Sequence, residues 1–171
     1  MQPNSCAIAA FAITLLAAPF AHAEPQTISH ATANCQTALP VFDGNVRKRP
    51  VAVQNEGTSI AFVTCSFPSP EGRQPGSASV TTAVWQYFVN NGANPVTVNC
   101  TGVATNNSVQ LAEYVPKSIV VTPGAGEQAL IWQAFDFAGA PAVFPNQGAF
   151  SISCSLPPGA GVGTSYVNGT D

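Results

Sequence analysis

Near its C-terminal end the chain runs F-S-I-S-C-S-L, with Phe150, Ile152, Cys154 and Leu156 alternating with Ser151, Ser153 and Ser155. Strict alternation is the period of a strand that is dry on one face and wet on the other. Pro157-Pro158-Gly159 stops it abruptly. A cysteine on the dry side of such a strand constrains the fold twice. The strand must pack face to face on another layer, and its thiol is expected to find an oxidised partner within the protein.

The N-terminus predicts where that oxidation takes place. An apolar stretch from Cys6 to Phe20, then small residues at Ala21 and Ala23, reads as a secretory signal over residues 1–23 cut before Glu24, although no Lys or Arg precedes the stretch. The stretch is too short for a membrane span, so no integral span is expected after cleavage. Cys6 lies at the front of the stretch and not at the cut, which argues against a lipid anchor. Removing 23 of 171 residues leaves 148, and these hold four cysteines: Cys35, Cys65, Cys100 and Cys154. An even number behind an export signal predicts two disulfides in a secreted or periplasmic protein. Three pairings are open. Cys35 with Cys65 and Cys100 with Cys154 is preferred, because Cys35 lies in a loop and its nearest neighbour in the chain is best placed to meet it.

Residues 24–34 lack periodicity and are expected as a flexible leader to one domain over 35–171. Val51 to Val53 and Ile60 to Phe67, separated by Asn55-Glu56-Gly57, predict a hairpin whose second strand turns Ala61, Val63, Cys65 and Phe67 inward. In the longest strand candidate, Ser79 to Asn90, polar Thr82, Gln86 and Asn90 mark the wet side and Ala83, Trp85, Tyr87 and Val89 the core side. Asn91 to Pro95 predicts a second hairpin, into Val96–Val103, with Val96, Val98 and Cys100 on one face. Residues 106–115 read as a loop or a short edge strand; Lys117–Thr122 and Gln128–Phe135 read as partners across a Pro/Gly turn, with helix the alternative for the latter. The prolines and glycines of 68–77 and 138–148 predict loops, and Thr164–Val167 one more short edge strand. Seven to nine short strands and no helical pattern predict an all-β fold: an antiparallel β-sandwich, immunoglobulin-like or jelly-roll-like.

Chemistry is sparse. With His30 the one histidine beyond the signal, and the cysteines expected in bridges, neither a Ser-His nor a Cys-His nucleophile is expected. Clustered imidazole or thiolate ligands and a phosphate loop are missing from the pattern, so no metal and no cofactor are expected. Eight acids against five Lys and Arg argue against nucleic acid or an anionic membrane as partner. Asp43, Glu56, Glu71, Glu113, Glu127 and Asp136 are isolated, and no spacing selects a hydrolase pair. Trp132, Tyr114 and Tyr166 are candidate ring faces for sugar, although a tryptophan in an apolar strand also reads as core. The reading that follows is an exported, non-catalytic β-sandwich with a structural or interaction role toward a protein or glycan of the cell envelope. A carbohydrate-binding module is the alternative, and a carboxylate-based hydrolase a distant third.

The segments R-K-R-P-V-A-V-Q-N-E-G with F-V-T-C-S-F, F-V-N-N-G with P-V-T-V-N-C-T, and S-I-S-C-S-L-P-P-G resemble a group of small, exported, functionally uncharacterised proteins of Gram-negative bacteria. The resemblance implies secretion and a disulfide-bonded β domain. It carries no activity and no functional residue.

Overall fold

The structure, a computed structural model, describes residues 25–30, 34–37, 45–67, 80–106, 111–137 and 150–170. The expected signal at 1–23 and the loops expected at 68–77 and 138–148 lie outside these residues. Eleven strands are described: β1 (Pro25–His30), β2 (Cys35–Thr37), β3 (Val46–Lys48), β4 (Val53–Asn55), β5 (Ala61–Phe67), β6 (Val80–Asn90), β7 (Val96–Asn106), β8 (Leu111–Val121), β9 (Gln128–Gln133), β10 (Phe150–Leu156) and β11 (Ala160–Thr170). One 3-10 turn, Ala134–Asp136, follows β9. The strands form a β-sandwich of two antiparallel sheets. Sheet A runs β3-β4-β11-β6-β9, with β1 also paired to β11, and sheet B runs β2-β5-β10-β7-β8.

Between the sheets lies one apolar core that includes Val63, Phe88, Val98, Trp132, Ile152 and Leu156. β10, at the centre of sheet B, obeys its alternation: Phe150, Ile152, Cys154 and Leu156 are buried and the three serines are half-exposed. β5 and β7 keep their expected phase as well, with Val63, Cys65, Val98 and Cys100 buried. Both disulfides form in the preferred pairing, Cys35 to Cys65 and Cys100 to Cys154. Each links residues directly opposite one another on adjacent strands, so both staple sheet B to itself and neither crosses the sandwich. At sequence separations of 30 and 54, loop entropy assigns each bridge about 4 kcal/mol.

Sheet A departs from the expectations, and β6 departs most. Val84, Gln86, Phe88 and Asn90 are buried while Trp85, Tyr87 and Val89 are half-exposed, the reverse of the predicted faces, although Ala83 is buried as expected. The cause is a break in β11. Its register with β6 shifts between Val162 and Ser165, as a β-bulge does. Gln86 Nε2 donates to the Gly163 and Thr164 carbonyls at 3.1 and 3.3 Å, and Ser165 Oγ donates to Gln86 Oε1 at 2.7 Å. A glutamine is buried here because it satisfies backbone groups that the bulge takes out of the ladder.

The predicted hairpins are arches between sheets. β4 and β6 belong to sheet A, while β5 and β7, which follow them, belong to sheet B. Both arches use one device, with the same N-x-G spacing. Buried Asn55 donates Nδ2 to the carbonyls of Ser59 (2.7 Å) and Leu156 (2.8 Å) and accepts from the Gly57 amide (3.0 Å). Buried Asn90 donates to Asn94 (2.9 Å) and Val121 (2.8 Å) and accepts from Gly92 (2.8 Å). Gly159 sits between the arches at φ 85°, its amide donating to the Asn55 carbonyl and its carbonyl accepting from the Asn91 amide. A side chain there would add strain to a Cβ contact 2.9 Å from Gly92.

Three further expectations change. Pro25–His30, expected as a flexible leader, pairs along β11. Of the segment read as a loop or short edge strand at 106–115, Asn106 ends β7, Leu111 to Val115 belong to the 11-residue β8 and 107–110 lie outside the described residues. The short edge strand expected at Thr164–Val167 belongs to the 11-residue β11 inside sheet A. Glycines and bulges hide alternation in β11. In β8 the inward row mixes Glu113 and Lys117 with Val115 and Ile119, charges of the kind that blunt an edge strand. β8 and β9 are not a hairpin either. They lie in different sheets, and side chains close the seam between them: Trp132 Nε1 donates to Val115 O at 3.1 Å, and Lys117 Nζ to Ile131 O at 2.7 Å.

Candidate functional site

The wet face of sheet B is a grid of small polar side chains. Crossing the sheet at one level, Phe62 on β5 stands opposite Ser155 on β10, Ser155 opposite Asn99 on β7, and Asn99 opposite Ser118 on β8. The next level holds Thr64, Ser153, Thr101 and Pro116 in the same order. These two levels form a solvent-open trough of about 410 Å³, lined by Phe62, Asn99, Thr101, Pro116, Ser118, Ser153 and Ser155, with Cys100, Lys117 and Cys154 at its floor. Those last three turn their side chains to the inner face, the cysteines into a disulfide and Lys117 into the β8–β9 seam. Lys117 Nζ lies 2.6 Å from Asp136 Oδ2, and the same oxygen accepts from the Gln133 amide at 2.7 Å. The trough therefore offers hydroxyls, an amide and the ring of Phe62, which is 53% exposed, without an ionised group.

The structure separates the three predicted ring faces. Trp132 is 0% exposed, packed 6.3 Å from the Phe150 ring with its indole over Gly102, so it presents no face to solvent and belongs to the core. Tyr114 is 67% exposed on the outer face of sheet B, opposite Val103 and four residues along β8 from Ser118. Tyr166 is half-buried on the outer face of sheet A, opposite Trp85, and meets Tyr87 edge-on at 5.5 Å. Trp85 and Tyr87, expected in the core, thus form with Tyr166 and Ile131 an aromatic patch on the far side from the trough. Among the described residues Trp85 Nε1, shielded from solvent, finds no acceptor.

Phe62 escaped the sequence reading, although a signal was present: with Ala61, Val63, Cys65 and Phe67 inward, an aromatic at 62 must stand on the wet face. Among the described residues no group of three or more His, Cys, Asp or Glu is placed to hold a metal ion. Of the acids considered for a hydrolase, Glu56 is paired with Arg47 and Arg49, Asp136 is paired with Lys117, and Asp43 and Glu71 lie outside the described residues.

No protein-family model matches the chain, and no curated protein matches it. Among solved structures it is similar to TmCBM61 in complex with beta-1,4-galactotriose, at 7% identity and a TM-score of 0.44, covering 82% of this chain and 86% of that one. It is also similar to the family 11 carbohydrate-binding module of Clostridium thermocellum in complex with a beta-1,3-1,4-mixed-linked tetrasaccharide, at 12% identity and a TM-score of 0.38, covering 85% and 87%. The family 11 module of the cellulosomal cellulase Lic26A-Cel5E gives 12% identity and a TM-score of 0.37, covering 85% and 86%. Likenesses this loose transfer neither ligand nor binding residue.

Proposed function

We propose that this is an exported, non-catalytic glycan-binding protein that holds a sugar chain in the trough of sheet B. The observation that carries the reading is the make-up of that trough: Asn99, Thr101, Ser118, Ser153 and Ser155 beside the exposed ring of Phe62. A sugar ring has one apolar C–H face and a rim of hydroxyls. It asks for an aromatic ring to lie against and neutral donors and acceptors around it. Export to an oxidising compartment is supported by two disulfides in a small domain.

The test is a glycan array probed with the mature protein and with Phe62→Ala. Binding should fall at least about tenfold in the variant, close to 1.4 kcal/mol, while the melting temperature holds. An array blank for the parent protein, or binding indifferent to Phe62→Ala, would sink the reading.

The aromatic patch of Trp85, Tyr87, Tyr166 and Ile131 favours a second reading, a protein-interaction role through sheet A. Its mark would be a native-envelope partner lost in Tyr87→Ser and kept in Phe62→Ala; the opposite pattern removes it.

A further inference from the structure

We infer that the trough accepts a neutral segment of about three sugar rings lying across the strands of sheet B, and discriminates against acidic glycans. This deepens the glycan reading above and rests on it.

The direction comes from the lining. The side chains that line the trough come from four successive strands at two levels: Phe62 on β5, Ser153 and Ser155 on β10, Asn99 and Thr101 on β7, Pro116 and Ser118 on β8. The next level on this face, Ser66, Ser151, Val103 and Tyr114, lies outside it. Side chains on one face of a strand repeat every ~7 Å, whereas neighbouring strands lie ~4.8 Å apart. The lined area is therefore ~7 Å wide along the strands and ~14 Å long across them, a length that suits about three pyranose rings in an extended chain. A chain laid parallel to β10 would leave the trough after about one ring. Laid crosswise, it meets Phe62 at one end, the serines and Asn99 in the middle and Ser118 at the other end.

The charge preference comes from Lys117. Its backbone lies in the trough floor, but its ammonium is held on the inner face by the Ile131 carbonyl at 2.7 Å and Asp136 at 2.6 Å. A carboxylate entering the trough would give up water and meet no cation among the described residues, which is unfavourable for an ion and not for a hydroxyl. Among the described residues, the one cationic residue in the trough lining is thus committed to the seam on the other side of the sheet, and acidic sugars are rejected for want of it.

The experiment titrates the mature protein, by calorimetry and amide chemical shifts, with the neutral sugar returned by the array as a series from disaccharide to hexasaccharide. The uronate oligomers of the same sugar and linkage serve as acidic counterparts. Affinity should rise about tenfold from disaccharide to trisaccharide and then level off, and the uronates should bind at least about tenfold more weakly. Shifts should appear at Phe62, Ser155, Asn99 and Ser118 together. Ser153→Lys, on the exposed grid, should bring uronate binding up to or above that of the neutral oligomer. A rise continuing to the hexasaccharide, shifts confined to β10, parent binding of uronates as tight as neutral chains, or no gain in Ser153→Lys would each overturn the inference. Any of these would leave intact a Phe62-dependent glycan site. Absence of all glycan binding would instead remove the reading beneath it.

Discussion

The two outer faces of the sandwich are made of different chemistry. Sheet B turns serine, threonine and asparagine to water from strands that two disulfides staple side by side, with Phe62 and Tyr114 standing exposed above the grid. Sheet A has no such staple among its described residues; it is held from beneath by buried amides, Gln86 at the bulge and Asn55 and Asn90 at the arches, and carries half-buried Trp85, Tyr87 and Tyr166 outward. A face whose rings are half-buried contributes to stability, because its apolar area is already out of water. A face whose ring is mostly wet contributes little, and is free to meet a ligand. Exposure, more than aromatic count, separates the two faces, and it is what the proposed glycan reading uses to choose sheet B.

That contrast can be tested by substitution, beginning with what underlies both faces. Trp132→Ala should cost about 4 kcal/mol in chemical denaturation, because it empties the core beneath sheets A and B alike. A loss under about 1 kcal/mol would return Trp132 to the list of surface rings. Asn90→Ala should cost about 3 kcal/mol, since it strips partners from the Asn94 and Val121 carbonyls and the Gly92 amide, all at one arch. An unchanged melting temperature would mean that sheet A does not depend on its buried amides. The smallest effects compare the faces directly. Tyr87→Ser, which removes the edge-on contact with Tyr166, should lower stability by about 1–2 kcal/mol and leave glycan affinity alone. Phe62→Ser should change stability by less than about 0.5 kcal/mol while removing glycan binding. If the two variants exchange these outcomes, the assignment of scaffold to sheet A and recognition to sheet B is reversed.

Sheet B was legible because its signal is local. In β10 apolar and polar residues take turns without interruption, β5 and β7 put an apolar residue on the wet face only at Phe62 and Val103, and cysteines on the dry sides meet across neighbouring strands. The trough was half legible: the wet serines of β10 were read correctly, while the ring that stands beside them lies 93 residues earlier in the chain, by the difference between 155 and 62, and becomes their neighbour only through strand pairing. β6 misled because Gln86 and Asn90 look like surface residues when judged on polarity, and Trp85 and Tyr87 like core. Asn55-Glu56-Gly57 and Asn91 to Pro95 misled in a related way. Asn and Gly at a turn signal a change of chain direction, and the same residues serve a hairpin within a sheet or an arch between sheets.

What the sequence by itself determined is the layered β class and the inward phase of the sheet B strands, since both are written in side chains a few residues apart. The cysteine pairing, one of three that the sequence left open, is closed by strand register. Tertiary structure alone decided which sheet each strand joins and which way β6 faces. An amide side chain is equally satisfied by water or by a buried carbonyl, and the carbonyl that claims Gln86 belongs to Gly163, 77 residues further along the chain.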